Sequence, residues 1–169
     1  LMMKEITVNL KELKQRFPNY DGRGYELAGF VWFQGWNDMY GPFPQQYAKN
    51  MENLIRDVRK DLKAPNLPVV IGLMGQNGFK EAQGNMAVVK AAQYSMNKIS
   101  DFEGNVKAIP TDIYWDKKAD AAYPTWRDNF EAWKRIGSDR PYHYLGSTIT
   151  FTRIGRAFGK AMIELRKGK

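Results

Sequence analysis

The stretch FVWFQGWNDMYG, residues 30–41, decides how the whole chain is interpreted. Its first residues extend an apolar run that begins at Leu27. A short run rich in β-branched and aromatic residues predicts a buried strand, here over 27–33. The run ends in the segment 34–38, QGWND, whose polar and small residues have no core to fill. Because ligands of open α/β sheets bind beyond the carboxyl ends of the strands, this segment is a candidate binding site.

The rest of the chain alternates between helical and strand-like patterns. Apolar residues recur at helical spacing over 3–16, 44–62, 85–99, 126–136 and 148–166, and short apolar runs occupy 67–74 and 106–109. Helices that alternate with strands indicate an α/β fold with a parallel sheet. Three strands are few for such a sheet, which is usually larger and covered on both faces.

Composition narrows the possible functions. The chain has 169 residues, of which 43% are hydrophobic, and this is typical of one ordered globular domain. With no cysteine and one histidine, the sequence predicts neither a metal site nor a cofactor. No apolar stretch approaches the roughly 18 residues of a membrane span, so no membrane partner is expected. The net charge of +8 predicts a solvated basic surface or affinity for an acidic polymer, and no nucleic-acid partner is expected.

Two loops carry residues suited to chemistry. In the first, Gly35 allows close approach of a ligand, Asn37 can direct an amide N–H at a developing negative charge, and Asp38 can fix the loop by accepting backbone N–H groups. In the second, the lone histidine, His143, has carboxylates nearby and suits a general base. The alternatives are an ordinary turn for the first loop and an ordinary polar histidine for the second. Ser147 is predicted as the N-cap of the last helix.

These loops carry a resemblance to a known family. The segment GWND, 35–38, resembles the third sequence block, Gly-x-Asn-Asp, of the GDSL/SGNH hydrolase superfamily. FVWFQGWND resembles the corresponding stretch of sialate O-acetylesterase-like carbohydrate esterases. YHYLGSTITFTRIGRAFGKAM, 142–162, resembles the C-terminal histidine block of that group. The resemblance implies a three-layer α/β/α, flavodoxin-like SGNH-hydrolase fold that is incomplete, with about three parallel strands present.

The resemblance also implies roles for individual residues. Asn37 would donate to the oxyanion, His143 would be the catalytic base, and Gly35 opens the oxyanion block. Substrate contacts would come from a set of residues on the same two loops, namely Gln34, Trp36 and Tyr142. No metal ion or cofactor takes part in this chemistry.

The acid partner of His143 is less direct. The superfamily usually has an aspartate three residues before the histidine, where this chain has Arg140; Asp139 lies one residue further away. Three alternatives remain at this point: Asp139 takes the role, a backbone carbonyl orients the imidazole, or Asp116 reaches in.

The nucleophile of the family has no counterpart in this sequence. Its Gly-Asp-Ser or Gly-Gln-Ser-Asn block should follow the first strand, yet no such block precedes residue 27. The segment Gly75-Gln76-Asn77 is similar only superficially, and the four serines fall in helix or cap contexts: Ser95, Ser100, Ser138 and Ser147. We therefore expect residues 1–169 to be the C-terminal portion of a single SGNH hydrolase domain. A further N-terminal segment or another chain would then supply the serine.

The expected function is removal of O-acetyl groups from a carbohydrate by serine–histidine acyl transfer, in the periplasm or after secretion. The expected partner is an acetylated carbohydrate. The alternative is a non-catalytic carbohydrate- or polyanion-binding module, in which aromatic side chains such as Trp36 and Tyr142 stack on sugar rings.

Overall fold

A computed structural model describes residues 2–167 of the chain. Its α-helices are α1 (Met2–Lys11), α2 (Leu13–Arg16), α3 (Phe43–Asp61), α4 (Gly84–Ser95), α5 (Lys117–Ala122), α6 (Phe130–Trp133) and α7 (Thr148–Lys167). Its strands are β1 (Phe30–Trp32), β2 (Val69–Gly72) and β3 (Val106–Ile109). No helix in this range is long and apolar enough to cross a membrane.

The three strands form one parallel sheet in the order β1-β2-β3. Val31 pairs with Val70, which in turn pairs with Lys107. Helix α3 connects β1 to β2 and α4 connects β2 to β3, as parallel strands require. The predicted parallel α/β fold is confirmed, and the strand order corresponds to strands 3, 4 and 5 of a flavodoxin-like sheet.

The sheet separates two layers of helices. Successive side chains of β2 point to opposite faces. Val69 and Ile71 lie in the main core, with buried residues of α3 and α4 that include Ile55 and Val89. Val70 packs on the other face against Ala161 and other residues of α7. A further cluster, centred on Trp115, Trp133, Tyr144, Leu145 and Ile154, lies beneath the segment that carries the histidine.

Several elements differ from the prediction. The strand predicted over 27–33 is limited to the three residues of β1, because ladder pairing to β2 covers only Phe30–Trp32. The helix predicted over 3–16 is divided into α1 and α2, with Glu12 between them. Apart from the segment 126–136, the other predicted helices and strands are present, with boundaries shifted by a few residues at most.

The prediction of a helix over 126–136 was wrong. The segment forms turns and the four-residue α6, although its aromatic residues repeat at helical spacing. These rings pack on one another and on Tyr123 instead of along one helix face: Trp126 stacks parallel to Tyr123 at 6.5 Å, and Trp133 lies 5.6 Å from it. Helix α5, which the sequence analysis did not predict, begins at Asp116, whose carboxylate accepts from the Lys118 N–H.

Candidate active site

A cavity of about 590 Å³ opens beyond the carboxyl ends of β1 and β2. Three stretches of chain and Phe151 of α7 contribute to its lining. The stretches are 33–37 after β1, two residues after β2, and the loop 138–146. The residues that the resemblance assigns to catalysis or substrate contact all line it: Gln34, Gly35, Trp36, Asn37, Asp139, Tyr142 and His143. The fold therefore brings together two loops that lie about a hundred residues apart in the sequence.

His143 and Asp139 form a hydrogen-bonded pair on this loop. Nδ1 of the imidazole lies 2.8 Å from Oδ2 of Asp139, while Oδ1 of Asp139 accepts from the backbone N–H of Arg140 at 2.7 Å. The Arg140 N–H, and after it His143, hold the pKa of Asp139 below its ordinary value, because both hydrogen bonds favour the carboxylate. Among the described residues, Nε2 of His143 has no hydrogen-bond partner and can serve a reacting group.

An unusual backbone holds this pair in place. Tyr144, Leu145 and Gly146 all have positive φ, near +54° to +58°, a conformation that costs energy in the first two residues. The carbonyl of Leu145 accepts from the N–H groups of both Ser138 and Asp139, which closes the loop on itself. Burial of the Tyr144 and Leu145 side chains stabilises this strained conformation.

Tyr144 connects the histidine loop to the sheet. Its buried hydroxyl accepts from the Gly75 N–H at 3.0 Å, after β2, and lies 2.9 Å from Oγ1 of Thr111, after β3. Burial raises the pKa of this phenol, so the hydroxyl keeps its proton at neutral pH. The loop is thus fixed to the ends of two strands, next to His143.

Asp116 is engaged elsewhere and does not contact His143. Its buried carboxylate accepts from the Ser147 hydroxyl at 2.7 Å and from backbone N–H groups at the start of α5. Ser147 in turn accepts from the Thr150 N–H at 3.4 Å, so its predicted N-cap role is confirmed. These contacts anchor the start of α7, immediately after the histidine loop.

The loop after β1 is fixed through its backbone. The carbonyl of Gln34 accepts from the Tyr47 hydroxyl at 2.8 Å and from the Gln93 amide at 2.9 Å. A Cβ at Gly35 would lie 2.7 Å from the sulfur of the buried Met74, so packing favours glycine at this position. The side-chain amide of Asn37 makes no hydrogen bond to a described residue and is free to donate into the cavity.

Asp38 stabilises this loop in a different way from the one predicted. It accepts from the side-chain amide of Gln34 at 2.7 Å, and no backbone N–H donates to it within residues 2–167. Trp36 and Tyr142, with ring centroids 5.5 Å apart, connect the two loops across the cavity wall.

Three of the four serines, all of which lie within residues 2–167, donate their hydroxyls to groups other than His143. Ser138 lines the cavity, but its hydroxyl donates to the Gly146 carbonyl at 3.3 Å. The buried Ser147 hydroxyl donates to the Asp116 carboxylate, and the Ser95 hydroxyl donates to the Ala92 carbonyl in the same helix. Over residues 2–167, no serine hydroxyl is hydrogen-bonded to His143. Nor does this range contain a group of three or more His, Asp or Glu side chains that could hold a metal ion.

Besides Tyr144, the sequence analysis gave no role to one further polar residue of the cavity wall, Gln76. Its position directly beyond β2 was the available signal, because the carboxyl ends of adjacent parallel strands lie at the same edge of a sheet.

Comparison with known proteins agrees with this architecture. A family described as carbohydrate esterase, sialic acid-specific acetylesterase, matches residues 4–118, which include the strand β1 and the Asn37 loop but not the histidine loop. Neither the search of curated proteins nor the search of solved structures gave a significant match. Because the family match covers more than half of the chain, the chain belongs to the sialic acid-specific acetylesterase family of carbohydrate esterases.

Proposed function

We propose that this chain supplies the base, its acid partner and an oxyanion donor of a carbohydrate O-acetylesterase. The observation that carries the proposal is the 2.8 Å contact between Asp139 and His143, in a cavity that Asn37 also lines. Family membership supports the reaction class, and the cavity supports the assignment of roles.

The proposed reaction is acyl transfer in two steps. A serine hydroxyl attacks the acetyl carbonyl while Nε2 of His143 takes its proton, and Asp139 stabilises the resulting imidazolium through Nδ1–H. The Asn37 amide donates to the oxyanion of the tetrahedral intermediate. The imidazolium then protonates the departing sugar oxygen, which leaves an acetyl-serine. A water molecule, deprotonated by Nε2 of His143, attacks this ester, and the imidazolium returns the proton to the serine oxygen as acetate leaves.

We further propose that the nucleophilic serine lies on a segment outside residues 2–167. The hydrogen bonds of the cavity support this, since no described serine hydroxyl bonds to His143. The sheet supports it too, because β1 pairs with β2 on one side and with no described strand on the other. In a flavodoxin-like order this free edge is the position of strand 1, whose carboxyl end would reach the cavity.

His143→Ala tests the proposal in the protein that contains this chain and its completing segment. Turnover of an O-acetylated sialic acid methyl glycoside should fall by orders of magnitude, as loss of a triad member does. Asp139→Ala should also lower kcat, whereas Asp128→Ala, an exposed aspartate outside the cavity, should not. Near-wild-type turnover in His143→Ala would remove the histidine from the mechanism. Saturable binding of the glycoside without any turnover by the wild-type protein would support a binding module instead.

The resemblance to exported carbohydrate esterases supports a periplasmic or secreted location. Fractionation of source cells tests this: the protein should accompany periplasmic or extracellular markers, and its recovery with cytoplasmic markers would contradict it.

A further inference from the structure

Gln76 is an unusual residue of the cavity wall. It is 92% buried, yet its side-chain oxygen, Oε1, is the one buried side-chain polar atom without a hydrogen-bond partner among the described residues. The other buried glutamine, Gln93, is fully engaged: its oxygen accepts from the Met74 N–H, and its nitrogen donates to Gln34 and Tyr47. Since buried polar groups are nearly always paired, the unpaired Oε1 of Gln76 requires an explanation.

The backbone around Gln76 is held rigidly. Gly75 donates to the Tyr144 hydroxyl, and a Cβ at Gly75 would lie 2.4 Å from the backbone nitrogen of Asp112. The Gly78 N–H donates to the Gly75 carbonyl at 3.1 Å, and the Trp115 ring packs directly against Gly78. The backbone of the turn therefore holds Gln76 at a fixed position in the cavity wall, and only rotation of its side chain can bring the amide to a partner.

Gln76 also lies between two cavities. It lines the histidine cavity and a second cavity of about 700 Å³, and Trp36 is the other residue that the two cavities share. The second cavity combines apolar side chains, Met39 and Tyr123 among them, with charged ones such as Asp120. This mixture suits a sugar, whose ring has apolar C–H faces and a rim of hydroxyl groups.

We propose that Gln76 is a substrate-binding residue that accepts a hydrogen bond from a hydroxyl of the acylated sugar. The acyl group occupies the histidine cavity, and the sugar extends past Trp36 and Gln76 into the second cavity. The terminal torsion of a glutamine is broad, so the amide can turn its oxygen to the ligand. This inference rests on the proposed function, because it assumes that the ligand is a sugar ester.

Binding to the protein that contains this chain and its completing segment, in a His143→Ala background that prevents turnover, tests the proposal without any need for catalysis. The probe is an O-acetylated sialic acid methyl glycoside, followed through the side-chain amide signal of Gln76 and the indole N–H of Trp36. Both signals should shift on titration. Gln76→Leu, which removes the acceptor while keeping an apolar side chain, should weaken binding several-fold to about tenfold, as expected for one hydrogen bond. Gln46→Leu, on the exposed face of α3, should bind like the wild type.

Thermal stability separates a binding role from a structural one. Without ligand, Gln76→Leu should unfold at the wild-type temperature or above it, because it removes an unpaired buried polar group. Gln93→Leu should unfold at a lower temperature, since it removes three hydrogen bonds and leaves the buried Met74 N–H without its acceptor. Gln76→Met serves as a second variant of similar length and should behave like Gln76→Leu.

Two results would overturn the inference: unchanged glycoside affinity in Gln76→Leu, or destabilisation of both Gln76 variants comparable to that of Gln93→Leu. Gln76-dependent binding in a completed protein that hydrolyses no sugar ester would contradict the proposed function but support the binding site. Sugar-ester hydrolysis whose KM does not depend on Gln76 would contradict the inference alone.

Discussion

The Tyr144 hydroxyl is predicted to be the main polar link between the histidine loop and the sheet. Tyr144→Phe removes this oxygen while keeping the ring, which packs against Phe33 and Trp115. The Gly75 N–H, which donates to it in a buried site, then has no partner. Thr111 is less affected, because its hydroxyl also donates to the Leu73 carbonyl at 2.7 Å.

The magnitude follows from the unpaired Gly75 N–H. Leaving a buried donor unsatisfied costs about 1–3 kcal/mol. For a protein of this size, that loss corresponds to a Tm lower by about 2–12 °C. Because the loop also carries strained residues at positive φ, Tyr144 among them, loss of the link should loosen the position of His143 and lower kcat in the completed enzyme.

Urea denaturation at low protein concentration, together with amide hydrogen exchange, measures this effect. Tyr144→Phe should lower the free energy of unfolding and increase exchange at Gly75. Tyr25→Phe, an exposed tyrosine with no hydrogen bond to a described residue, is the matched control and should change neither. Thr111→Val combined with Tyr144→Phe should give a loss that is not the sum of the two single losses, because the two hydroxyls share one network. An unfolding free energy for Tyr144→Phe within about 0.5 kcal/mol of the wild type, the usual range for surface changes, would refute this role for the hydroxyl.

Three further predictions concern the site and the sheet edge. Asn37→Ala should lower kcat of the completed enzyme by roughly 10²–10³-fold with little change in KM, as loss of an oxyanion donor does. The control variant Asn50→Ala, on the exposed face of α3, should leave kcat unchanged. An effect of Asn37→Ala confined to KM would indicate a role in substrate binding instead. The Asp139 carboxyl, followed by ¹³C NMR, should titrate below its ordinary pKa. In His143→Ala this pKa should rise only in part, because the Arg140 N–H still donates to the carboxylate. The ionised Asp139 makes a small contribution to stability, which is present above the unfolded pKa and is lost as pH falls through the lowered folded pKa. Purified alone, the 169-residue chain should show no esterase activity and should self-associate through the free edge of β1. Val31→Lys should reduce this self-association, because it places a charge at an exposed position of that strand. A monomer with esterase activity would contradict both expectations.

The layered α/β architecture was accessible from the sequence because its main elements have strong patterns. The amphipathic repeat of α3 and the β-branched run of β2 leave little choice of structure, and both form where they were predicted. The aromatic residues near Trp126 show the limit of such reasoning. Their spacing is helical, but ring packing on Tyr123 determines the local structure, and a sequence pattern does not show which neighbours a ring will find.

The sequence predicts residues that line one cavity, but not how their side chains pair. Asp139 and Asp116 were both candidates to orient His143. Only the folded chain shows that the Asp116 carboxylate is buried and accepts from the Ser147 hydroxyl. The same holds for Gln76, since whether an amide has an internal partner depends on segments distant in sequence. Tyr144 likewise gains its role from contacts to the ends of β2 and β3, which no local pattern encodes.

Labelling of the nucleophile with a fluorophosphonate, which reacts with an activated serine, tests the central claim most directly. The protein is the one that carries this chain together with its completing segment, and mass spectrometry locates the label. We predict that the label lies on a serine outside residues 2–167, and that His143→Ala abolishes labelling because the serine is no longer activated. Label on Ser95, Ser100, Ser138 or Ser147, or labelling that persists unchanged in His143→Ala, would contradict the account.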